Sequence, residues 1–512
     1  MPATPSKSLS NPPPPGKVYL VGAGPGDPGL ITLRGAECLR RADVVLYDYL
    51  VNPDLLRHCR PDAECICLGQ HGRTRLWSQA EINARVVAEA QLGKTVVRLK
   101  SGDPAIFARY AEEVAILLAA RIEWEMVPGI TAALAASSFA GVPLTHREFA
   151  SSVALITARE DVDKTQTAHD FAAYAQFPGT LVFYMGITSA SDWTAALIAA
   201  GKPRETPVAL VRRCSFSDQR ILVCRLDEVA AKIISEHLRP PVISIVGEVA
   251  SLSAAFSWFD KRPLFGQTIL VTRAAEQALG LAGPLRELGA EVLQQPAIEI
   301  RPPADWTPVD AVLARLTEFD WLVFSSSNGV RSFLDRLFAT GRDLRALGRL
   351  RIGAIGPGTA AELSRFHLHA DLIPREYRAE ALVAELRPQA RDQRFLLLRA
   401  SRGREVLAEE LTTAGGLVEQ VVVYESCDVT TPLPGLSERL RNGEIDWVTV
   451  TSSAIARSLV AMFGEELRHI KLVSISPITT GVLNELGFAP TAEAAEYTMA
   501  GVCAAIQAAV SS

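Results

Sequence analysis

Short apolar runs alternate with amphipathic stretches along most of the chain. Runs typical of strands follow one another in the first half, as KVYLV, DVVLYD, ECICLG, TVVRLK, SSVALIT, TLVFYMG, TPVALV and PVISIVG. Between them, stretches such as LRGAECLRRA have the spacing of helices. Alternating strands and helices predict βαβ units and a mostly parallel sheet, so the predicted fold class is α/β.

This pattern pauses at SLSAAFSWFDKRPLFGQ, before a new strand in TILVTRA. We therefore place the main boundary near Phe265. The sequence predicts a disordered Pro/Ser-rich tail over residues 1–16, followed by a first region, a linker and a second region over residues 17–258, 259–266 and 267–512.

The second region contains an internal repeat. DWLVFSSSNGVRSF from Asp320 is similar to DWVTVTSSAIARSL from Asp446, and ILVTRA around Arg273 is similar to LLLRA around Arg399. Both pairs are 126 residues apart, and IGPGT is similar to ISPIT at a slightly shorter spacing. The repeat predicts two similar α/β units with a ligand cleft between them.

Composition narrows the classes of function. The 512 residues are 48% hydrophobic with a formal net charge of −5, which argues against a general nucleic-acid binder because phosphate binding needs a basic surface. No apolar run has the length of a membrane span, and the tail lacks the apolar centre of a signal peptide, so we expect a cytoplasmic protein with no membrane partner. The eight cysteines lack metal-ligand spacing, and we expect no metal site.

The loop GAGPGDPG after the first strand satisfies the pattern G-x-G-x-x-G, from Gly24 to Gly29, that dinucleotide-binding proteins use. However, Pro25 and Pro28 each remove an N–H donor, and Asp27 places a carboxylate where a pyrophosphate would bind. The loop therefore favours a small cationic or neutral ligand over a dinucleotide.

Six blocks of the first region, in order, resemble the S-adenosylmethionine-dependent tetrapyrrole methylases, and specifically uroporphyrinogen-III C-methyltransferase. They are YLVGAGPGDPGLITLRGAECLRRADVVLYD, VVRLKSGDPAIF, MVPGITAALAASSFAGVPLTHR, TLVFYMG, TPVALV and IVGEV. The resemblance implies a two-subdomain fold with S-adenosyl-L-methionine held between the subdomains. The contacts it implies are Pro25, Ser101, Gly102, Asp103, Thr131, Ala132, Met185, Ala209 and Gly247.

The same resemblance implies two methyl transfers to uroporphyrinogen III, giving precorrin-2. The substrate carries eight carboxylates, so arginine contacts are expected. The positions that match are Arg109 and Arg147 for carboxylates and Glu112 as the catalytic base. From the residues alone, Glu112 is more typical of a solvated helix face and Met185 of an ordinary core methionine, and only the resemblance favours the functional roles. The chain departs from the family pattern at Ser101, Tyr110, Arg159 and Arg212.

The second region resembles uroporphyrinogen-III synthase in ILVTRA, DWLVFSSSNGV, IGPGTA and VVVYES, over about residues 264–512. The resemblance implies cyclisation of hydroxymethylbilane without a cofactor, with Tyr424 as the acid that assists departure of the hydroxyl. Candidate substrate-binding residues at strand-to-helix turns or in a basic turn are Ser326, Asn328, Thr359, Arg399, Ser452 and Thr479. Helix capping is the alternative role for the hydroxyl residues, and Arg399, Arg402 and Arg404 together also fit a solvated basic turn.

The sequence thus predicts a bifunctional enzyme that makes uroporphyrinogen III and then methylates it, on the route to siroheme or cobalamin. A homodimer through the methylase region fits the resemblance. The alternative is an active synthase fused either to a methylase of another acceptor or to a degenerate docking module.

Overall fold

The computed structural model describes residues 15–69, 75–159, 169–403 and 405–511. The tail predicted over residues 1–16 lies, up to residue 14, outside the described residues. The chain divides into two compact units, Met1–Phe265 and Gly266–Ser512.

The first lobe of the first unit is a five-stranded parallel sheet with strand order β3-β2-β4-β1-β5. Its three central strands are buried along almost their whole length, as expected for a parallel sheet covered by helices, whereas the two edge strands are partly exposed. Its elements are β1 (Lys17–Gly22), α1 (Leu33–Arg41), β2 (Val44–Tyr47), β3 (Glu64–Cys67), α2 (Gln79–Gln91), β4 (Val96–Lys100), α3 (Tyr110–Ala119) and β5 (Glu123–Val127).

The second lobe carries a mixed sheet of order β6-β7-β10-β8-β9. Its elements are α4 (Ala132–Ala140), β6 (Val153–Thr157), α5 (Phe171–Gln176), β7 (Thr180–Tyr184), α6 (Ala190–Ala199), β8 (Pro207–Arg212), β9 (Arg220–Arg225), α7 (Val229–Ser235), β10 (Val242–Val246) and α8 (Ser253–Phe256). β6 and β7 are parallel, whereas the other three strand pairs are antiparallel. The prediction of a mostly parallel sheet is therefore wrong for this lobe, because β8 and β9 form a hairpin, which pairs antiparallel, and β10 runs antiparallel to both β7 and β8.

The second unit also has two lobes. The third lobe has the strand order β12-β11-β18-β19-β20 and the fourth lobe β13-β17-β16-β14-β15. The strands are β11 (Thr268–Val271), β12 (Glu291–Gln294), β13 (Ile298–Arg301), β14 (Trp321–Phe324), β15 (Arg351–Ala354), β16 (Arg394–Ala400), β17 (Leu417–Asp428), β18 (Trp447–Val450), β19 (Lys471–Ser474) and β20 (Ala492–Glu493).

Ten α-helices among the described residues cover these two sheets. They are α9 (Ala275–Glu287), α10 (Thr307–Leu313), α11 (Ser327–Ala339), α12 (Pro357–Arg365), α13 (Ala379–Leu386), α14 (Val406–Thr413), α15 (Leu436–Arg441), α16 (Ser453–Phe463), α17 (Pro477–Glu485) and α18 (Met499–Ser511). Among the described residues, no helix combines the length and the apolar character that crossing a membrane requires.

Each lobe of the second unit is built from both sequence repeats. The repeat equates β11 with β16 and β14 with β18, but β11 pairs with β18 in the third lobe while β14 pairs with β16 in the fourth. The two similar α/β units predicted from the repeat therefore exist as lobes, but neither lobe corresponds to one repeat. The chain begins the third lobe, builds the whole fourth lobe, and returns to complete the third.

We expect fragments 1–265 and 266–512 each to fold alone, because each retains complete sheets and cores. Fragment 266–392, which ends between the two repeats, is expected not to fold, since it separates β11 from β18. Thermal melts followed by far-UV circular dichroism test this, with cooperative unfolding expected only for the two longer fragments. Cooperative unfolding of fragment 266–392 would contradict the expectation, and so would the absence of cooperative unfolding in fragment 1–265 or in fragment 266–512.

Candidate active sites

Three loops of the first lobe meet at the carboxyl ends of their strands. The loops after β1 and β4 pair through Gly24 and Gly102, whose N–H groups donate to each other's carbonyl oxygens at 3.2 and 3.1 Å. The loop after β5 is equally close, since a Cβ on Gly129 would lie 2.7 Å from the Cα of Gly22. A side chain at Gly129 would therefore push the loops apart.

Asp103 holds the same loops together. Its carboxylate accepts the N–H of Gly129 at 2.9 Å and that of Ala105 at 2.7 Å. Beside it, a Cβ on Gly102 would meet nothing closer than the N atom of Ala132, at 3.8 Å. A side chain there would make ordinary van der Waals contact with the start of α4, so the loop after β4 lies directly beside the start of this helix.

The loop after β1 also binds the second lobe. The Ser215 hydroxyl donates to the carbonyl oxygen of Pro25 at 2.5 Å and accepts the N–H of Asp27 at 2.9 Å. Gly26 has a φ of +79°, and a Cβ there would lie 2.8 Å from a carbonyl oxygen of the second lobe. The Asp27 carboxylate accepts the N–H of Gly29 at 2.7 Å, so it occupies a donor that a phosphate would need.

Tyr184, the last residue of β7, connects the second-lobe sheet to α4. Its hydroxyl lies 2.7 Å from the Thr131 hydroxyl and accepts the N–H of Ala133 at 3.1 Å. Its ring packs edge-on against Phe107 at 5.0 Å, and burial raises the pKa of the phenol. The next residue, Met185, has a left-handed backbone and a side chain that is 46% exposed, so it is not a core methionine.

The remaining predicted cofactor residues differ in their exposure. Ala132 and Gly247 are partly exposed, at the start of α4 and after β10. Ala209 lies in β8 with 0% exposure, in a core cluster that also contains Ala133 and Tyr184. Contact between Ala209 and a ligand would need a movement of these neighbours, so this contact stays a prediction.

Arg109 and Glu112 lie together at the start of α3. The guanidinium of Arg109 donates to both carboxylate oxygens of Glu112, each at 2.8 Å, and both side chains are exposed. Arg147 is an exposed residue of the turn in which His146 pairs with Ala150. Among the described residues, Arg147 forms no ion pair with a carboxylate.

A buried charged cluster, which the sequence analysis did not identify, lies beneath the loop after β4. Arg98 binds Asp48 at 2.5 Å and Glu113 at 3.2 Å, and Lys100 binds Glu113 at 2.7 Å. Burial lowers the pKa of Lys100. The Asp48 carboxylate also accepts the N–H of Ser101 at 3.4 Å, so the cluster supports this loop. Two basic residues inside the apolar strand VVRLK were the signal for it.

In the second unit, Tyr424 is the centre of the candidate site. It is 7% exposed, its hydroxyl lies 3.0 Å from that of Ser326, and Asn328 also hydrogen-bonds to it. Burial raises the pKa of Tyr424, so the phenol keeps its proton and can act as a donor. The three predicted residues are therefore brought together.

The other predicted hydroxyl residues of the second unit take structural positions. Ser326 and Ser452 cap α11 and α16, accepting N–H groups at 3.0 and 3.2 Å, and their contact with a substrate stays a prediction. Thr359 and Thr479 lie inside the first turns of α12 and α17 and are only 4% and 2% exposed. The threonine side chains thus present little surface to a substrate.

The predicted basic turn is paired with acidic residues. Arg399 forms an ion pair with Glu405, and Arg402 binds both carboxylate oxygens of Asp428 at 2.9 Å. Arg404 lies outside the described residues. The residues that the structure describes contain no cluster of three or more metal-ligating side chains.

Comparisons with known proteins divide the chain in the same way. The family model of the Tetrapyrrole (Corrin/Porphyrin) Methylases matches residues 17–230, and that of Uroporphyrinogen-III synthase HemD matches residues 280–504. The porphyrin biosynthesis protein HemD of Ruminiclostridium josui is 35% identical over 469 residues, which are 91% of this chain and 92% of that protein. Both matches thus occur together in a relative of similar length.

Two further comparisons concern mainly the first unit. The uroporphyrinogen-III C-methyltransferase of Bacillus subtilis is 38% identical over 65% of this chain and 68% of its own length. The crystal structure of uroporphyrin-III C-methyl transferase from Thermus thermophilus, complexed with S-adenyl homocysteine, is 38% identical, with a TM-score of 0.39 over 46% of this chain and 93% of that one. The chain belongs to the family of porphyrin biosynthesis proteins in which a tetrapyrrole methylase, a uroporphyrinogen-III C-methyltransferase, is fused to a uroporphyrinogen-III synthase.

Proposed function

We propose that the second unit cyclises hydroxymethylbilane to uroporphyrinogen III and that the first unit methylates this product twice to give precorrin-2. The observation that carries the proposal is that one chain matches both the methylase and the synthase family models. Each matched region contains its own candidate site, around Tyr184 in the first unit and around Tyr424 in the second. The product of one reaction is the substrate of the other. Precorrin-2 then leads to siroheme or cobalamin.

S-adenosyl-L-methionine is the cofactor of the first unit, and when bound it supplies an electrophilic methyl group on a sulfonium. The loops fit such a group, since a side chain at Gly102 would reach van der Waals contact with Ala132 without a clash, so the loop after β4 and the start of α4 can both contact one ligand. The Thr131 side chain does not cap this helix because its hydroxyl binds Tyr184, which itself accepts the N–H of Ala133. The N–H of Ala132 has no hydrogen-bond partner among the described residues and can bind a polar group of the cofactor. Met185 adds an exposed apolar surface.

Arg109, Glu112 and Arg147 act on the tetrapyrrole. Arg109 and Arg147 bind carboxylates, and a substrate carboxylate on Arg109 takes the place that Glu112 occupies in the ligand-free protein. Glu112 is then free to accept the proton that the cationic ring loses from nitrogen or from a neighbouring bridge carbon after methylation, since the methylated carbon already carries an acid side chain and has no hydrogen. Binding of the substrate to Arg109 is thereby coupled to release of the Glu112 carboxylate from its ion pair with Arg109.

In the second unit, the main task is to fold the linear substrate so that the correct carbon closes the ring, because the hydroxyl departs readily. Tyr424 donates its proton to this hydroxyl. Ser326, Asn328 and Ser452 bind substrate carboxylates at helix starts, with weaker contributions from the buried Thr359 and Thr479. Arg399 binds a further carboxylate when Glu405 is displaced.

A cytoplasmic location and a homodimer complete the proposal. All eight cysteines are free thiols, as a reducing compartment allows. Around α4 and α8 of the first unit, Leu134, Phe149, Phe256 and Trp258 are 42–53% exposed, an apolar surface that a second copy would cover.

The contact of Gly26 with the second lobe predicts a defect in cofactor binding. In Gly26→Ala the added methyl group displaces the loop from Ser215, which lowers the affinity for S-adenosylhomocysteine about tenfold or more, as overpacking does. Isothermal titration calorimetry measures the affinity. The matched control is Gly201→Ala, which has a comparable φ of +101° with nothing within 4 Å of the added Cβ. Equal affinities for Gly26→Ala and the control would refute the contact.

Substitutions at Arg109 and Tyr424 are expected to impair different reactions. Arg109→Ala lowers methyl transfer to supplied uroporphyrinogen III about tenfold or more, the effect of a lost charge-assisted contact, and leaves cyclisation unchanged. Tyr424→Phe lowers cyclisation about tenfold and lets substrate close to the non-inverted isomer, while methyl transfer persists. Chromatography of the oxidised porphyrins, beside a methyl-transfer assay, measures both. Loss of cyclisation in Arg109→Ala, or of methyl transfer in Tyr424→Phe, would show that the reactions are not divided between the units.

A further inference from the structure

Arg273, two residues after the end of β11 in the second unit, has an incomplete set of hydrogen-bond partners. One terminal nitrogen donates to the amide oxygen of Gln277 at 2.8 Å, and the other lies 2.8 Å from the sulfur of Met499, a weak acceptor. The Nε–H is buried and has no hydrogen-bond partner. Burial lowers the pKa of this guanidinium, which means that its charge is poorly solvated in the folded protein.

The equivalent residue of the other repeat has a different environment. Arg399, 126 positions later, forms an ion pair with Glu405 and donates to Gln420 at 2.8 Å. Arg273 forms no ion pair with any carboxylate in the part of the chain that the structure describes. A buried cation without an anion destabilises a folded protein, so the unpaired state of Arg273 requires an explanation outside the free protein's own contacts.

The position of Arg273 connects it to the proposed acid. Gln277 receives a hydrogen bond from Arg273 and donates its own amide N–H to the side-chain oxygen of Asn328 at 2.5 Å. Asn328 in turn hydrogen-bonds to Tyr424. Arg273 and Gln277 belong to the third lobe, whereas Asn328 and Tyr424 belong to the fourth. This chain of four side chains therefore crosses between the lobes.

We propose that Arg273 is a substrate-binding residue of the synthase reaction, whose buried Nε–H and adjacent terminal N–H receive one carboxylate of the linear tetrapyrrole. The inference rests on the proposed function of the second unit. A bidentate carboxylate supplies the missing anion and fills the unsatisfied donor. The bound carboxylate is thereby placed next to the hydrogen-bond chain that leads to Tyr424, which orients the substrate relative to the departing hydroxyl.

Steady-state kinetics of the full chain with hydroxymethylbilane test the assignment. Arg273→Gln is expected to raise KM about 10- to 100-fold, as the loss of a charge-assisted contact does, with a smaller change in kcat. Arg273→Lys keeps the charge and is expected to raise KM less. The control is Arg345→Gln, which removes an almost fully exposed arginine and is expected to leave KM unchanged. Methyl transfer to supplied uroporphyrinogen III stays normal in all three variants.

Thermal unfolding separates binding from a structural role. If Arg273 serves the substrate, replacing its unpaired charge in Arg273→Gln leaves the melting temperature of the ligand-free protein unchanged or raises it. An unchanged KM in Arg273→Gln overturns the assignment, as does a lowered melting temperature in both Arg273 variants. Absence of cyclisation by the unsubstituted chain would instead overturn the proposed function itself, and the assignment with it.

Discussion

Backbone contact between the loops after β1, β4 and β5 is the constraint on which the first site depends. Gly22, Gly102 and Gly129 approach so closely that a side chain on Gly129 would collide with its neighbours. Only then does Asp103 reach the N–H of Gly129. With the loops fixed in this way, the loop after β4 lies directly beside the start of α4, and the predicted cofactor region is formed by small residues and main chain.

Much of this arrangement could be predicted from the sequence, because local patterns encode it. The glycine pattern after the first apolar run located Gly24, the resemblance to the methylases indicated Gly102 and Asp103, and the proline and carboxylate content of the first loop argued against a dinucleotide. The antiparallel strands of the second lobe could not be predicted, since periodicity gives a strand but not its neighbour. The roles of Tyr184 and Ser215 were missed for the same reason: their partners lie 53 and about 190 positions away.

The repeat of the second unit shows a related limit. Its offset of 126 positions correctly equated strands, but it did not reveal that β11 pairs with β18 and β14 with β16. It equated Arg273 with Arg399, yet one arginine meets a carboxylate and the other does not. Duplication preserves the fold of a segment, whereas the partners of each side chain depend on the loops that surround it. Candidate residues at strand ends therefore divided into helix caps, buried threonines and the Tyr424 group.

Because the chain leaves the third lobe and later returns to it, two segments connect the lobes of the second unit. They run side by side, since Ile298 of β13 faces Asp428 of β17 and Val429 donates to the carbonyl oxygen of Ala297 at 3.0 Å. Two hydrogen-bonded strands form a ribbon that bends easily out of its plane and resists shear within it. The paired segments thereby limit relative motion of the two lobes largely to one rotation about the ribbon. When the lobes approach each other again, the residues of both lobes that bind a ligand would return to the same relative positions.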